Sequence, residues 1–384
     1  MAEATWNYPT RIVFGSGAVA DIGSEAKALG VTRALIVSDA GVSRAGLLAP
    51  IEQALAEKGV ESARFEGIST NPSEAEAKAA ADAYRSMKAD GVVAVGGGAP
   101  LDVGKLVRIL VTETLPLAEY DDAKGGDAKM KAIFPPMIAV PTTAGTGSEV
   151  GRSAVATLAA TGRKTIFFHP KLIPNVAILD PRMTETLPAK ITAATGFDAL
   201  THSIEAFLSK GDHPMADAIA LKSIELVGRY LERAVKQPDD LEARGGLLKA
   251  AMMGAVAFQK GLGACHSLAH PLGAEHDVHH GLANALCLPA VLDFNRSVVP
   301  ARVAAVARAL GVRGDDEDAL AFECAGAVRA LRQKVGLPDG LAAIGLSDQN
   351  VEKLAPLAFE DVCHGSNPRA CSVQDLLQLY RVSL

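Results

Sequence analysis

Five of the nine histidines fall within the fifteen positions from His266 to His280, in the run Cys265-His266-Ser-Leu-Ala-His270-Pro-Leu-Gly-Ala-Glu-His276-Asp-Val-His279-His280. Imidazole at that density suggests a metal ion, which needs three or four protein donors. A second pair upstream completes such a set. Asp198 and His202 stand four apart in Ile191-Thr-Ala-Ala-Thr-Gly-Phe-Asp-Ala-Leu-Thr-His-Ser-Ile-Glu-Ala-Phe207, where Ile204 and Phe207 supply an apolar face and nothing after Gly196 breaks a helix. Residues at i and i+4 project from one side of a helix, so a carboxylate and an imidazole can converge on one ion. His266 and His270 repeat that spacing on a helix expected over 247–270, which Pro271 should end or kink. His280 follows in what reads as a short polar turn before Gly281.

A second kind of chemistry is written earlier in the chain. The run 34–39, Ala-Leu-Ile-Val-Ser-Asp, is a short apolar strand ending in an acid, followed by Gly41 and an amphipathic segment. Val92-Val-Ala-Val95 runs into Gly96-Gly97-Gly98-Ala-Pro-Leu-Asp102-Val-Gly-Lys105, and 138–140 runs into Pro141-Thr142-Thr143-Ala-Gly-Thr-Gly-Ser148-Glu149. Neither G-x-G-x-x-G nor the Walker pattern fits the first loop, because Leu101, Ala99 and Leu106 stand where each pattern needs another residue. The physics survives both failures. Glycines admit a close anion, Pro100 suits a helix start, and the positive end of that helix faces the ligand. Thr142, Thr143, Thr146 and Ser148, interleaved with Gly145 and Gly147, add hydroxyl and backbone donors from a neighbouring strand end. Asp39 ends its strand where an acid can accept from an adenosine ribose hydroxyl and repel a 2′-phosphate, which favours NAD over NADP.

These two sets of residues need a scaffold to hold them. Strands alternating with helices in the first half imply a parallel sheet with helices on both faces, which binds ligands beyond the carboxyl ends of its strands. After Pro188 the β-branched runs thin out. Ala/Leu-rich segments of helical spacing take over at 214–235, 241–260, 301–310, 316–335, 347–359 and 372–381, the last opened by a Ser372-x-x-Asp375 start. The expected organisation is an α/β dinucleotide-binding domain over 1–187 and a helical, metal-binding and catalytic domain over 188–384, with the active site in a cleft between them.

Composition excludes other classes. A net charge of −6 with no long basic run argues against nucleic acid or anionic membrane as partner. The N-terminus lacks a signal-like pattern and no window approaches about 18 consecutive apolar residues, so a cytoplasmic protein is expected. Five cysteines, odd in number and without C-x-x-C, read as reduced thiols. Cys265 would point away from its neighbour His266 on a helix, and reads as core.

A nicotinamide dinucleotide beside one divalent ion implies hydride transfer between an alcohol and NAD, with the ion polarising the substrate oxygen. His270, one turn from His266, is the candidate to relay the hydroxyl proton or to brace the nicotinamide. Three imidazoles and one carboxylate suit Fe(II), Zn or Co about equally.

Six segments carry a resemblance. Gly96–Lys105, Pro141–Glu149, Gly196–Glu205, His266–Gly273, His280-Gly-Leu-Ala-Asn284 and Asn367-Pro-Arg369 closely resemble the iron-containing (group III) alcohol dehydrogenases, in order along nearly the whole chain. The resemblance implies a dehydroquinate-synthase-like fold, an α/β dinucleotide-binding domain followed by an all-α metal-binding one. It implies Asp198, His202, His266 and His280 as ligands, with iron most usual and zinc in relatives. It chooses His280 over His279 because His280 directly precedes Gly-Leu-Ala-Asn, leaving His276 and His279 as solvated loop residues. The same resemblance assigns Gly96, Gly97, Gly98, Asp102, Thr142, Thr143 and Ser148 to the cofactor, Asp39 to NAD preference, a small alcohol or aldehyde as substrate, and a homo-oligomer, dimer or larger.

The family often has serine where this chain has Ala99, and Arg152, Arg163 and Lys164 are basic positions that could face a carboxylate-bearing substrate. The rival readings are a fold relative such as a glycerol dehydrogenase or a maleylacetate-reductase-like enzyme, a dehydroquinate-synthase-type lyase, and a non-catalytic nucleotide-binding protein. The lyase would need a strongly basic pocket, for which the helical half offers few residues.

Overall fold

A computed structural model describes residues 6–384. They group into two compact units: Tyr8–Thr143 with Gly147–Thr186, and Leu187–Leu384 with Trp6, Asn7 and Ala144–Thr146.

The first unit is built on β1 (Arg11–Phe14), α1 (Ile22–Ala28), β2 (Arg33–Val37), α2 (Ala40–Arg44), α3 (Ala49–Glu57), β3 (Glu61–Phe65), α4 (Glu74–Ser86), β4 (Gly91–Gly96), α5 (Gly98–Thr112), β5 (Met137–Pro141), β6 (Ser153–Thr157), β7 (Lys164–Phe168) and β8 (Val176–Leu179). Six strands form one sheet in the order β1-β8-β5-β4-β2-β3, parallel throughout, and β6 and β7 form a separate antiparallel hairpin. The period-2 alternation of side chains explains why the central strands are apolar at every position. Leu35, Val37, Val92, Ala94, Met137 and Ala139 pack on one face with residues of α4 and α5. Ala34, Ile36, Val93, Val95, Ile138 and Val140 pack on the other with residues of α1 and α3.

The hairpin carries the basic positions singled out in the sequence. The Arg152 guanidinium lies over the Phe168 ring at 5.4 Å, and Lys164 Nζ donates to Asn71 Oδ1 at 2.7 Å.

The second unit is helical: α6 (Ala189–Leu208), α7 (Pro214–Lys236), α8 (Leu241–Ala257), α9 (Ala264–His276), α10 (His280–Arg296), α11 (Pro300–Ala309), α12 (Glu317–Lys334), α13 (Asp348–Glu360) and α14 (Val373–Val382). The Ser372 start forms a full capping box, with Asp375 N donating to Ser372 Oγ and Ser372 N to Asp375 Oδ2. Every residue of α6 from Thr192 to Leu208 is buried, and α6 packs on α7, α8 and α10.

Three local expectations are corrected. The overlapping helices over 241–260 and 247–270 resolve into α8, a short 3-10 turn at Phe258–Lys260, and α9. Gly261 sits at φ +134°, and two glycines in Gly261-Leu-Gly263 each cost a helix about 1 kcal/mol. Pro271 does not end α9, which runs on to His276 with Leu268 and Leu272 fully buried around it. His280 is not in a turn: it is the first residue of α10.

Candidate metal centre and dinucleotide turns

Helix α6 places Asp198, His202 and Glu205 at i, i+4 and i+7, on one face of a helix buried on all sides. Polar groups so placed must find partners or an ion. His266 comes from the first turn of α9 and His280 from the start of α10. One donor atom from each of Asp198, His202, His266 and His280 lies within 4.8 Å of the others. His280 Nε2 is 3.3 Å and His202 Nε2 3.7 Å from Asp198 Oδ1. The rings of His202 and His266 stack with centroids 4.8 Å apart.

Those four atoms fit a cation. His266 Nδ1 is held at 2.5 Å by Glu205 Oε2, so its Nε2 faces the cluster as a bare lone pair. Lone pairs and a carboxylate pointed at one another repel unless positive charge lies between them. Donors about 2.1 Å from an ion in a tetrahedral set stand roughly 3.4 Å apart, close to the spacing found. Burial pushes His202 down to about 4 and His266 well below the ordinary imidazole value, so both rings are in the neutral form that ligates. Burial opposes the charge on Asp198, but the facing His202 and His280 hold it below the usual carboxylate range. Asn284, one turn beyond His280, donates to Asp198 Oδ1 at 3.0 Å and fixes that carboxylate.

His270 stands beside this cluster with its ring stacked on His280 at 5.3 Å, and its Nδ1 lies 2.7 Å from Asp361 Oδ2. His276 ends α9 and His279 precedes α10, both exposed. Cys265 is fully buried, with Sγ 3.5 Å from the Asn284 carbonyl, and burial pushes its thiol well up.

In the first unit, β4 and β5 pair with Gly96 opposite Pro141, so the turns after them leave the sheet side by side, joined by Thr142 N donating to the Gly96 carbonyl at 2.9 Å. Gly96 has φ +151°, and a Cβ there would meet Pro100 Cγ at 2.6 Å. Gly97 precedes α5 without a side-chain cap, so the Gly98 and Ala99 amides at the positive end of a fifteen-residue helix are available as anion donors, Pro100 having no N–H. Thr142 is buried and Thr143 half-buried beside them.

Asp102 and Ser148 have their polar atoms committed to each other: Ser148 Oγ donates to Asp102 Oδ1 at 2.6 Å and accepts from the buried Lys105 Nζ at 2.7 Å. Val155 N also donates to Asp102, and Lys105 to the Ser153 carbonyl. Burial raises Asp102, lowers Lys105 to about 8 and raises Glu149 to about 7. The lysine that echoes a Walker loop in sequence therefore braces α5 to the next turn. Asp39 caps α2, Oδ1 accepting from Gly41 N at 2.7 Å and Val42 N at 3.0 Å.

Comparison with known proteins adds what geometry alone does not. Residues 9–181 match the family described as iron-containing alcohol dehydrogenase, and residues 192–384 match the C-terminal part of the Fe-containing alcohol dehydrogenase family. The chain belongs to the iron-containing alcohol dehydrogenases. This family member is 40% identical to a 4-hydroxybutyrate dehydrogenase of Cupriavidus necator over 98% of its length and 99% of the relative's. It is 36% identical to an NAD-dependent methanol dehydrogenase of Bacillus methanolicus, covering 98% of both chains. A solved 1,3-propanediol oxidoreductase superimposes with a TM-score of 0.95 at 34% identity, covering 99% of this chain and 100% of the other.

Two residues of the centre in this iron-containing alcohol dehydrogenase, Glu205 and Asn284, were not among those the sequence singled out. Both had a signal: Glu205 is seven after Asp198, and Asn284 four after His280. Glu205 Oε1 accepts from Cys265 N at 2.6 Å while Oε2 takes His266 Nδ1. Burial raises its carboxyl to about 7. In Glu205→Gln the amide must turn its NH2 toward either the Cys265 N–H or His266 Nδ1, and the second choice moves the imidazole proton onto the metal-facing nitrogen. Metal affinity is expected to fall about 10- to 100-fold, read by competition with a chelator, with the far-ultraviolet circular dichroism unchanged. Wild-type affinity in that variant would remove Glu205 from the centre.

Proposed function

We propose that this chain is a metal-dependent, NAD(H)-linked alcohol dehydrogenase and aldehyde reductase acting on a small alcohol, diol or hydroxy acid. The observation that carries the reading is the convergence of Asp198, His202, His266 and His280 inside a buried helical unit. These four would hold Fe(II), or Zn(II) as in a similar donor set, and the three-histidine, one-carboxylate set leaves room for a substrate oxygen. When bound, the ion supplies Lewis acidity toward that oxygen and the nicotinamide supplies the hydride acceptor. The chain's own part is to hold the donors, to bind the dinucleotide phosphates at Gly96, Gly97 and Gly98 with Thr142 and Thr143, and to accept the hydroxyl proton at His270 Nε2. Asp102 and Ser148 hold the adjoining turn in shape for that cofactor.

The named relatives act on 4-hydroxybutyrate, methanol and 1,3-propanediol, all short primary alcohols, which supports a substrate of that class. We also propose a cytoplasmic homo-oligomer, dimer or larger. No helix among the described residues is long and apolar enough to cross a membrane, and the five cysteines are free. Anaerobic assay with Fe(II) against Zn(II) over a panel of such alcohols and aldehydes, followed by NADH absorbance, tests the reading. Net turnover supports it; none with any substrate or metal sinks it.

Cofactor choice has its own test. Asp39 Oδ1 is spent on the helix cap, while Oδ2 makes no hydrogen bond among the described residues and is the oxygen left for a ribose hydroxyl. Asp39→Gly is expected to narrow the NAD-over-NADP ratio of kcat/KM by about 10- to 100-fold, since a like-charge clash costs several kcal/mol. Glycine is itself a tolerated cap, so stability should drop by only a few tenths of a kcal/mol. An unchanged ratio would take Asp39 out of cofactor selection.

A further inference from the structure

His270 reads as the group that accepts the substrate proton, but an imidazole can do so only with the correct nitrogen bare. What sets that is 91 residues away in the chain. Asp361 follows α13 and opens the 3-10 turn Val362–Ser366, and its Oδ1 accepts from Cys363 N at 2.9 Å and Ser267 Oγ at 2.8 Å. The Ser267 hydroxyl is itself aimed, because it accepts from His364 N at 2.8 Å and so has its proton free for the carboxylate. With Oδ1 taken by two donors, Oδ2 is left for His270 Nδ1 at 2.7 Å. Two further contacts fix the ring plane: His270 stacks on His280 at an interplanar angle of 16°, and its centroid lies 5.9 Å from that of His266.

We propose that Asp361 is a positioning residue for the reaction: held by Ser267 and the Cys363 amide, it takes the Nδ1–H of His270 and so turns the Nε2 lone pair to the alcohol. The inference rests on the reading of His270 as proton acceptor. In the oxidation direction the alcohol O–H bond breaks, its electron pair stays on oxygen to form the carbonyl, and its proton passes to Nε2. The carbinol hydrogen leaves with the electron pair of the C–H bond as hydride, which the nicotinamide of a bound NAD would accept and so be reduced. The imidazolium returns its proton to water, the side chain being 41% exposed. Cys363 belongs to the same knot: its Sγ lies with His270 and Asp361 in a group of donor atoms within 4.8 Å of one another. Its thiol is pushed well up by burial, and the carboxylate already takes three donors, so the trio is spent on orientation and not on a second ion.

The test is a double-mutant cycle on the metal-loaded enzyme with NAD and a turned-over alcohol, using His270→Ala, Asp361→Asn and the pair, with metal content measured in each. His270→Ala is expected to lower kcat about 10²- to 10³-fold. Asp361→Asn, which allows the amide to offer N–H to Nδ1 and reverse the tautomer, is expected to lower kcat about 10²-fold, with KM for both substrates within about twofold. The double variant should be no slower than His270→Ala alone. Free imidazole should restore turnover in His270→Ala and equally in the pair, because a diffusing base needs no carboxylate to orient it.

Multiplying losses in the cycle, or weaker rescue in the pair, would mean that Asp361 acts elsewhere. Wild-type kcat in Asp361→Asn beside a slow His270→Ala would overturn the inference and leave His270 standing. Wild-type kcat in His270→Ala would overturn both. Should Asp361→Asn not fold, Ser267→Ala removes one holding donor and is expected to cost about tenfold in kcat, and nothing in the His270→Ala background.

Discussion

Replacing His266 with alanine is expected to give a folded protein with little or no bound metal and a turnover about 10³-fold slower. The loss stems from the groups this side chain holds together. It is 1% exposed, supplies one of four convergent donors, and is the link through which Glu205 acts on the centre. Three donors remain, which lowers affinity, and the charge stabilisation an ion gives at a substrate oxygen is worth several kcal/mol, each 1.36 of which is about tenfold in rate. Glu205 would lose its imidazole partner in a buried site, at a stability cost of about 1–3 kcal/mol. Elemental analysis, steady-state turnover and a thermal melt read the three effects separately. Stoichiometric metal with full activity would show that the ion is held elsewhere.

A larger structural effect is expected from a residue with no side chain. Gly281 follows His280 at the start of α10 and lets that helix lie directly on α6. A Cβ there would stand 2.0 Å from the Ala194 carbonyl oxygen and 3.2 Å from Asp198 Cβ, against an ordinary contact of at least 3.4 Å. The obstacle is backbone, so it cannot swing aside. In Gly281→Ala the two helices must part by about an ångström, carrying His280 away from Asp198. Overpacking of this kind costs about 1–3 kcal/mol or more, and misplacing a catalytic group by about an ångström costs roughly 10²-fold. Metal affinity and kcat should therefore fall together while Tm drops. Gly326→Ala is the control, since in α12 nothing lies within 4 Å of the added methyl, and it should raise stability by about 0.5–1 kcal/mol. Similar behaviour of the two variants would mean that α10 does not depend on that close approach.

Much of this centre was legible in the sequence, for local reasons. Asp198 and His202 are one helical turn apart, and a helix fixes their common face whatever surrounds it. The strands at 92–95 and 138–140 were legible because continuous apolar runs ending in glycine or threonine turns have few other uses in a parallel sheet. The errors were also local in origin. Periodicity carried the helix through Gly261-Leu-Gly263, where a backbone at φ +134° interrupts it before α9 begins. Of the two outcomes a proline allows, an end or a kink, Pro271 does not end α9, and the buried Leu268 and Leu272 on either side hold the helix through it.

The sequence by itself determined the donor types, the i to i+4 pairs, the glycine turns at two strand ends and the alternation that builds a parallel sheet, because each depends on residues within about two turns of one another. Only the tertiary structure decided which partner each of the two histidines one turn apart meets. His266 meets Glu205 and turns its bare nitrogen toward Asp198, while His270 meets Asp361. Those partners lie 61 and 91 residues away, a separation at which no helical period or turn preference correlates positions, so only the packed chain can bring them within a hydrogen bond.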